Sequence, residues 1–145
     1  MKYKKILAIT LIAVLAVVLI GAASAAESGN KTNIRGFDFN IPSGYEEMKD
    51  ISVRNNTTSE GNVSVTTDMV FYTDGSDIAC IMVLEFNSNI SDSLINDDGE
   101  KTTLKNITGV MCNGTTGDYI FKYIKGNSLI EVSSENKTII EEMLV

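Results

Sequence analysis

The fold turns on residues 62–86, NVSVTTDMVFYTDGSDIACIMVLEF. Two β-prone runs flank Asp74-Gly75, a dipeptide that readily takes the positive φ angles of a tight hairpin turn. With those two residues as the turn, Phe71 faces Ile78, Met69 faces Cys80, Thr67 faces Met82, Val65 faces Leu84 and Val63 faces Phe86. Every residue on that face except Thr67 is apolar, counting cysteine. The opposite face pairs Tyr72 with Asp77, Asp68 with Ile81, Thr66 with Val83 and Ser64 with Glu85, and is mixed. Because side chains alternate between faces, a one-residue slip would move the apolar set to the wrong side, so the pattern specifies register as well as strands.

Upstream, Phe37, Phe39 and Ile41 alternate at period two, and Pro42 and Gly44 end that strand. Residues 46–53 fit either a helical turn or a short strand. Residues 54–61 read as a polar loop. Downstream, 87–101 is a polar connector in which 91–96 can form one helical turn pinned by Leu94 and Ile95. A three-strand run follows at 104–113, 118–125 and 128–134, with turns at 114–117 and at Gly126-Asn127. The second turn sets Tyr123 opposite Ile130, Phe121 opposite Val132 and Lys122 opposite Glu131. A four-residue turn at 114–117 sets Val110 opposite Phe121 and Cys112 opposite Tyr119. The period then changes: Ile139, Ile140, Met143 and Leu144 share one face of a helix, with Ser133, Ser134 or Asn136 as its cap. The expectation is an α+β domain, an antiparallel sheet of about five or six strands with the C-terminal helix packed on one face.

The first block has the layout of a targeting segment. Lys2, Lys4 and Lys5 precede an apolar run, and small residues close it, with Ala23 and Ala25 placed for cleavage after Ala25. Cleavage after Ala26 fits as well. Residues 1–25 are therefore expected to be a signal peptide, 26–33 a flexible lead-in and 34–145 a single exported domain. The alternative is a retained anchor over 6–26, which is long enough to span a bilayer. Either way the domain lies outside the cytoplasm, secreted or on the cell surface. All nineteen acids lie beyond the leader, against nine of the twelve Lys and Arg. That excess keeps an exported domain soluble and repels nucleic acid and anionic headgroups, so no nucleic-acid partner is expected. Membrane contact is expected only through an uncleaved leader.

The chain contains no histidine. Ser-His-Asp and Cys-His catalysis and His-ligated zinc are therefore unavailable, and two cysteines cannot complete a thiolate zinc site. No phosphate loop or dinucleotide pattern is present, so no cofactor is implied. Residues 96–100, NDDGE, resemble part of a calcium loop, but Leu94 occupies a position that needs an oxygen ligand. Adjacent acids at Glu46-Glu47, Asp97-Asp98 and Glu141-Glu142 point apart in a strand and make poor glycosidase pairs. A Ser-Lys dyad lacks an identifiable pocket. The stripe Tyr119, Phe121, Tyr123 fits core packing, or alternatively a carbohydrate-stacking surface.

Cys80 and Cys112 both fall on apolar strand faces. If strand 78–86 lies antiparallel to 107–113, the two sulfurs approach, and a disulfide closing a loop of about 30 residues would contribute ~3 kcal/mol. Two buried free thiols are the alternative. Eight Asn-x-Ser/Thr triplets begin at Asn30, Asn55, Asn56, Asn62, Asn89, Asn106, Asn113 and Asn136. Thirteen asparagines in this composition would give about three by chance, so the excess points to N-glycosylation. Turn and cap chemistry also enriches Asn, Ser and Thr and inflates the count. Asn55 and Asn56 overlap, so one of them is expected to be used.

The leader MKYKKILAITLIAVLAVVLIGAASAA, the opening GFDFNIPSGYEE and the close NITGVMCNGTTGDYIFKYIKGNSLIEVSSENKTIIEEML resemble small exported proteins of methanogenic archaea. Those proteins share a G-x-x-F-x-I-P-x-G-Y opening, matched here by Gly36, Phe39, Ile41, Pro42, Gly44 and Tyr45, with Phe37 beside Gly36. They also share a Y-x-F-x-Y-x-x-G-x-x-I-x-I close. The likeness covers most of the mature chain, and its motifs are structural. It implies export, a source that N-glycosylates, and an anaerobic setting that weakens the case for a disulfide; it implies no activity. The expected function is thus a non-enzymatic, N-glycosylated surface domain that builds the envelope or binds another surface component. A small-ligand or cation-binding module would instead show an unfilled apolar pocket between sheet and helix. A carboxylate hydrolase would show two acids facing each other across a cleft.

Overall fold

A computed structural model describes residues 30–96 and 99–145. The signal peptide at 1–25, the alternative anchor at 6–26 and the pair Asp97-Asp98 lie outside the described residues. Within them the chain forms β1 (Lys31–Ile34), β2 (Phe37–Asn40), β3 (Glu46–Glu47), β4 (Val53–Glu60), β5 (Val63–Thr73), β6 (Ile78–Phe86), β7 (Glu100–Leu104), β8 (Ile107–Asn113), β9 (Tyr119–Lys125), β10 (Ser128–Ser134) and α1 (Lys137–Met143), with one 3-10 turn at Asp92–Leu94. Among the described residues no helix is long and apolar enough to cross a membrane.

The architecture is the expected antiparallel sheet with a C-terminal helix, but the sheet has eight strands, more than the five or six expected. Its order is β3-β5-β6-β10-β9-β8-β7, and β4 lies beyond β3 along the same edge of β5. Two meanders, β4-β5-β6 and β7-β8-β9-β10, therefore join where their last strands, β6 and β10, pair. The additional strands come from segments read as loop: β4 covers the polar 54–60, and β7 emerges from the end of the connector. Lys31–Ile34, of which 31–33 were expected as flexible lead-in, instead pairs with β2 as a separate hairpin.

The turns explain the registers. Arg35 and Gly36 both have positive φ (50° and 85°), as do Lys105 and Asn106 (45° and 66°). Both pairs make two-residue turns whose twist matches that of the strands they connect. Between β5 and β6 the loop has four residues rather than two, because Asp74 Oδ1 accepts hydrogen bonds from the backbone N–H groups of Ser76 and Asp77, each at 2.8 Å. Phe71 consequently faces Cys80, and Met69 faces Met82. That slides the expected register by two residues and leaves both faces unchanged.

Between β8 and β9 the error is one residue, and it changes the face. Asp118 joins the loop: its carbonyl accepts from Gly114 N at 2.7 Å, and its Oδ1 accepts from Thr116 Oγ1 at 2.7 Å. Val110 therefore faces Lys122, and Cys112 faces Ile120. Val110 and Cys112 lie on the opposite side of the sheet from Phe121. Between β9 and β10 the expected register holds, with Phe121 opposite Val132, and Lys122 opposite Glu131 at 3.6 Å Nζ to Oε1.

Both faces of the sheet are buried. On the front face Val65, Met69, Phe71, Met82, Leu84 and Phe86 pack under Met48 and Ile51 from the β3–β4 link and under Ile90, Leu94 and Ile95 from the connector. On the back face Val70, Ile81, Val83, Phe121, Ile130 and Val132 pack under the β1–β2 hairpin and α1, through Ile34, Phe39, Ile140, Met143 and Leu144. Asn136 caps α1, its side chain accepting from Thr138 N at 3.0 Å. The aromatic stripe is core: Phe121 and Tyr123 are buried on the back face, and Lys137 Nζ sits 4.5 Å above the half-buried ring of Tyr119.

Candidate functional site

The two cysteines stand unbridged. They do occupy one row across the front face, where Cys80 pairs with Ser133, Ser133 with Ile120 and Ile120 with Cys112. That row places β10 and β9 between them. Three strand spacings put their Cα atoms about 14 Å apart, whereas a disulfide reaches at most ~7 Å. The expected bridge is thus corrected by the topology: strand 78–86 pairs with β10, not with β8. Burial, followed by the charges of Glu131 and Asp118, pushes the Cys80 thiol well above its ordinary range. A neutral, desolvated thiol of this kind is a small hydrophobe rather than a nucleophile.

Two polar clusters hold the covering segments to the sheet. Arg35, at the tip of the β1–β2 turn, donates to Glu85 through both Nε and Nη2, and its Nη1 donates to Asp68 Oδ1 at 3.4 Å and Asn55 Oδ1 at 3.2 Å. Asp68 also accepts from Asn55 N at 2.7 Å. Burial alone would lower the Arg35 pKa, but the hydrogen bond and charge of Glu85, with the charge of Asp68, outweigh it and raise the pKa. Both acids are thus bound to a guanidinium and unavailable as a catalytic pair. At the other end of the sheet Asp77 Oδ2 accepts from Tyr45 Oη at 2.8 Å and from Ser134 Oγ at 2.7 Å. Asp77 Oδ1 is buried without a hydrogen-bond partner among the described residues. Burial, then the hydrogen bond to Asp77, raises the Tyr45 pKa well above the usual tyrosine range. Both clusters fasten the N-terminal segment over the back face.

Glu47 bonds Arg54 at 2.9 Å, and Glu141 and Glu142 lie exposed on α1. Among the described residues no group of acids and cysteines is arranged to hold a metal ion. A shallow, open depression at the β8 end is lined by Gly99, Glu100, Met111, Cys112, Asn113 and Lys137, the first residue of α1.

The sequons form the one pattern that extends over the whole described surface. Asn30, Asn55, Asn56, Asn62, Asn89, Asn106, Asn113 and Asn136 are all exposed. Their amides differ from those of the other asparagines. Asn33 Nδ2 donates to Asp38 at 2.7 Å, Asn40 Nδ2 to Leu144 O at 3.1 Å, Asn87 Nδ2 to Asn62 O at 3.0 Å and Asn127 Nδ2 to Phe86 O at 2.7 Å. None of the eight sequon asparagines donates through Nδ2 within the described residues; Asn55 and Asn136 engage only Oδ1, as acceptors. Asn96, beside the undescribed 97–98, is the one non-sequon asparagine without such a bond. N-glycosylation replaces a hydrogen on Nδ2 and leaves Oδ1 free to accept. A sugar at any sequon would therefore break no hydrogen bond among the described residues, although the Asn55 side chain is held against Arg35 through Oδ1. Sequence reasoning located these residues but could not separate free amides from structural ones.

The chain matches no family model, no curated protein and no solved structure.

Proposed function

We propose that this chain is an exported, N-glycosylated surface domain that acts in envelope structure or in binding another surface component, and not through catalysis. The carrying observation is the division among its asparagines: sequon amides are exposed and free, while Asn33, Asn40, Asn87 and Asn127 use theirs to hold turns and strand ends. Turn chemistry alone would enrich asparagine at loops without sorting the amides this way. Among the described residues an apolar cluster packs on each face of the sheet and no strand covers its two edges, a form that fits a structural or interaction domain. The basic, apolar and small-residue leader and the likeness to exported archaeal proteins support the same location.

Site-resolved glycopeptide mapping of the protein from its native source tests the proposal. Occupancy is expected at several of the eight sequons and at none of the other asparagines. Bare asparagine at all eight would overturn it.

A further inference from the structure

The exposed edges of the sheet are not equally guarded. An unpaired edge strand offers free N–H and C=O groups to any strand that approaches, and proteins blunt such edges with charge, short length, bulges or cover. At one end β7 has five residues and presents Glu100 and Lys101. At the other, β3 presents Glu46 and Glu47, and β4 begins with a register shift between Val53 and Asn56. The remaining stretch of β4, residues 56–60, is Asn-Thr-Thr-Ser-Glu. It pairs regularly with β5 through Asn56↔Thr67, Thr57↔Thr66, Thr58↔Val65 and Ser59↔Ser64. Its one charge, Glu60, stands at the far end; residues 56–59 carry no charge, no proline and no bulge, and among the described residues no strand pairs with their outer side. The stretch does carry a sequon.

The overlapping pair at its start is resolved by geometry. Asn55 has φ 54°, donates its backbone N–H to Asp68 and accepts from Arg35 through Oδ1. Its side chain is held against the Arg35 cluster. Asn56 stands in regular strand geometry, exposed, with no side-chain hydrogen bond. We propose that Asn56, not Asn55, carries the glycan, and that this glycan keeps a second copy of the chain from adding a strand to the β4 edge. An added strand would lie about 4.8 Å from β4, well within the reach of an oligosaccharide on Asn56. Transfer joins Asn56 Nδ2 to the anomeric carbon of a lipid-phosphate-linked oligosaccharide. It breaks that carbon's bond to the phosphate oxygen, releases the lipid phosphate and one amide proton, and changes no oxidation state.

This inference rests on the glycoprotein reading, and two single substitutions separate the claims because each destroys only one of the overlapping sequons. Thr57→Ala removes the Asn55 sequon and keeps that of Asn56. Thr58→Ala does the reverse, and Asn56→Gln serves as a second variant in case Thr58→Ala fails to fold. All are expressed in a glycosylating host, mapped by glycopeptide mass spectrometry and sized by light scattering at matched concentration. The Thr57→Ala protein should keep its glycan and remain a monomer like the wild type. Thr58→Ala and Asn56→Gln should lose the glycan and shift to at least twice the monomer mass. A glycan persisting in Thr58→Ala would assign it to Asn55 and overturn the site. Loss of the glycan with the monomer retained would overturn the shielding role, as would a wild type that self-associates while glycosylated at Asn56. A wild type bare at Asn56 but glycosylated elsewhere overturns this inference and leaves the glycoprotein reading intact. A chain bare throughout overturns both.

Discussion

At the scale of single residues, the fold depends on a few atoms that the composition does not reveal. A Cβ added to Gly109 would run into the backbone carbonyl oxygen of Lys122 on β9 and would lie 2.9 Å from Cζ of the Phe121 ring. Gly109→Ala should therefore cost at least about 1–3 kcal/mol, because the β9 backbone as well as a core aromatic must shift, read as a fall in the urea midpoint with an unchanged slope. Asn136 has two separable roles, as helix cap and as sequon. In a host that does not glycosylate, Asn136→Ala should lose about 1 kcal/mol, while Asn136→Asp, which caps equally well, should stay within a few tenths. Equal losses from both would show that the cap bond contributes nothing. The helix start was legible in the sequence, because Asn, Ser and Thr precede a change of period. The role of Gly109 was not, because it depends on a neighbouring strand, with a ring twelve residues away, across a register that sequence reasoning set one residue off.

At the scale of elements, the β1–β2 hairpin is the most dependent part. Two strands alone are marginal in water, so the hairpin is held by what it buries and by the Arg35 cluster. Phe39 is fully buried on the back face. Phe39→Ala should cost about 3–5 kcal/mol and release the hairpin, so the amides of β1 and β2 should lose hydrogen-exchange protection while β5 and β6 keep theirs. Uniform loss of protection throughout would mean the hairpin is integral to the sheet's cooperative unit. The β5–β6 and β9–β10 hairpins could be read from alternation because each has a mixed face beside an apolar one. The second buried face was hidden in plain view. Residues 69–72 (Met-Val-Phe-Tyr) and 81–84 (Ile-Met-Val-Leu) are unbroken apolar runs, the mark of a strand covered on both sides. β4 was missed because Asn, Thr and Ser are as much turn as strand residues, and only its pairing with β5 makes it a strand.

At the scale of the whole molecule, tertiary burial gives the stability a particular pH response. Cys80, Tyr45, Tyr72 and Tyr123 all have raised pKa values, burial being the leading cause in each, and Tyr123 is pushed up to about 12. In the unfolded chain these groups lose their protons near their ordinary values, about 8.5 for the thiol and about 10 for tyrosine. The folded state then binds more protons than the unfolded one, so stability is intact below pH ~8.5 and falls as pH rises above it. Tyr123 alone contributes up to about 1.4 kcal/mol per pH unit between about 10 and about 12. The urea midpoint should therefore decline gently from pH ~9 and steeply above pH ~10. A midpoint flat to pH ~11 would contradict the burial of these groups. The sheet's length and strand order lay beyond the sequence because the pairing of β6 with β10 joins two meanders far apart in the chain, and no local pattern specifies which ends meet.

Export and sugars on the free amides both show in the intact mass of the native protein before and after glycan removal. The native polypeptide should be shortened by its leader and heavier by several glycans, returning to the bare mature mass on removal, with both thiols free. A single mass equal to the full unmodified chain, unchanged by the treatment, would contradict this.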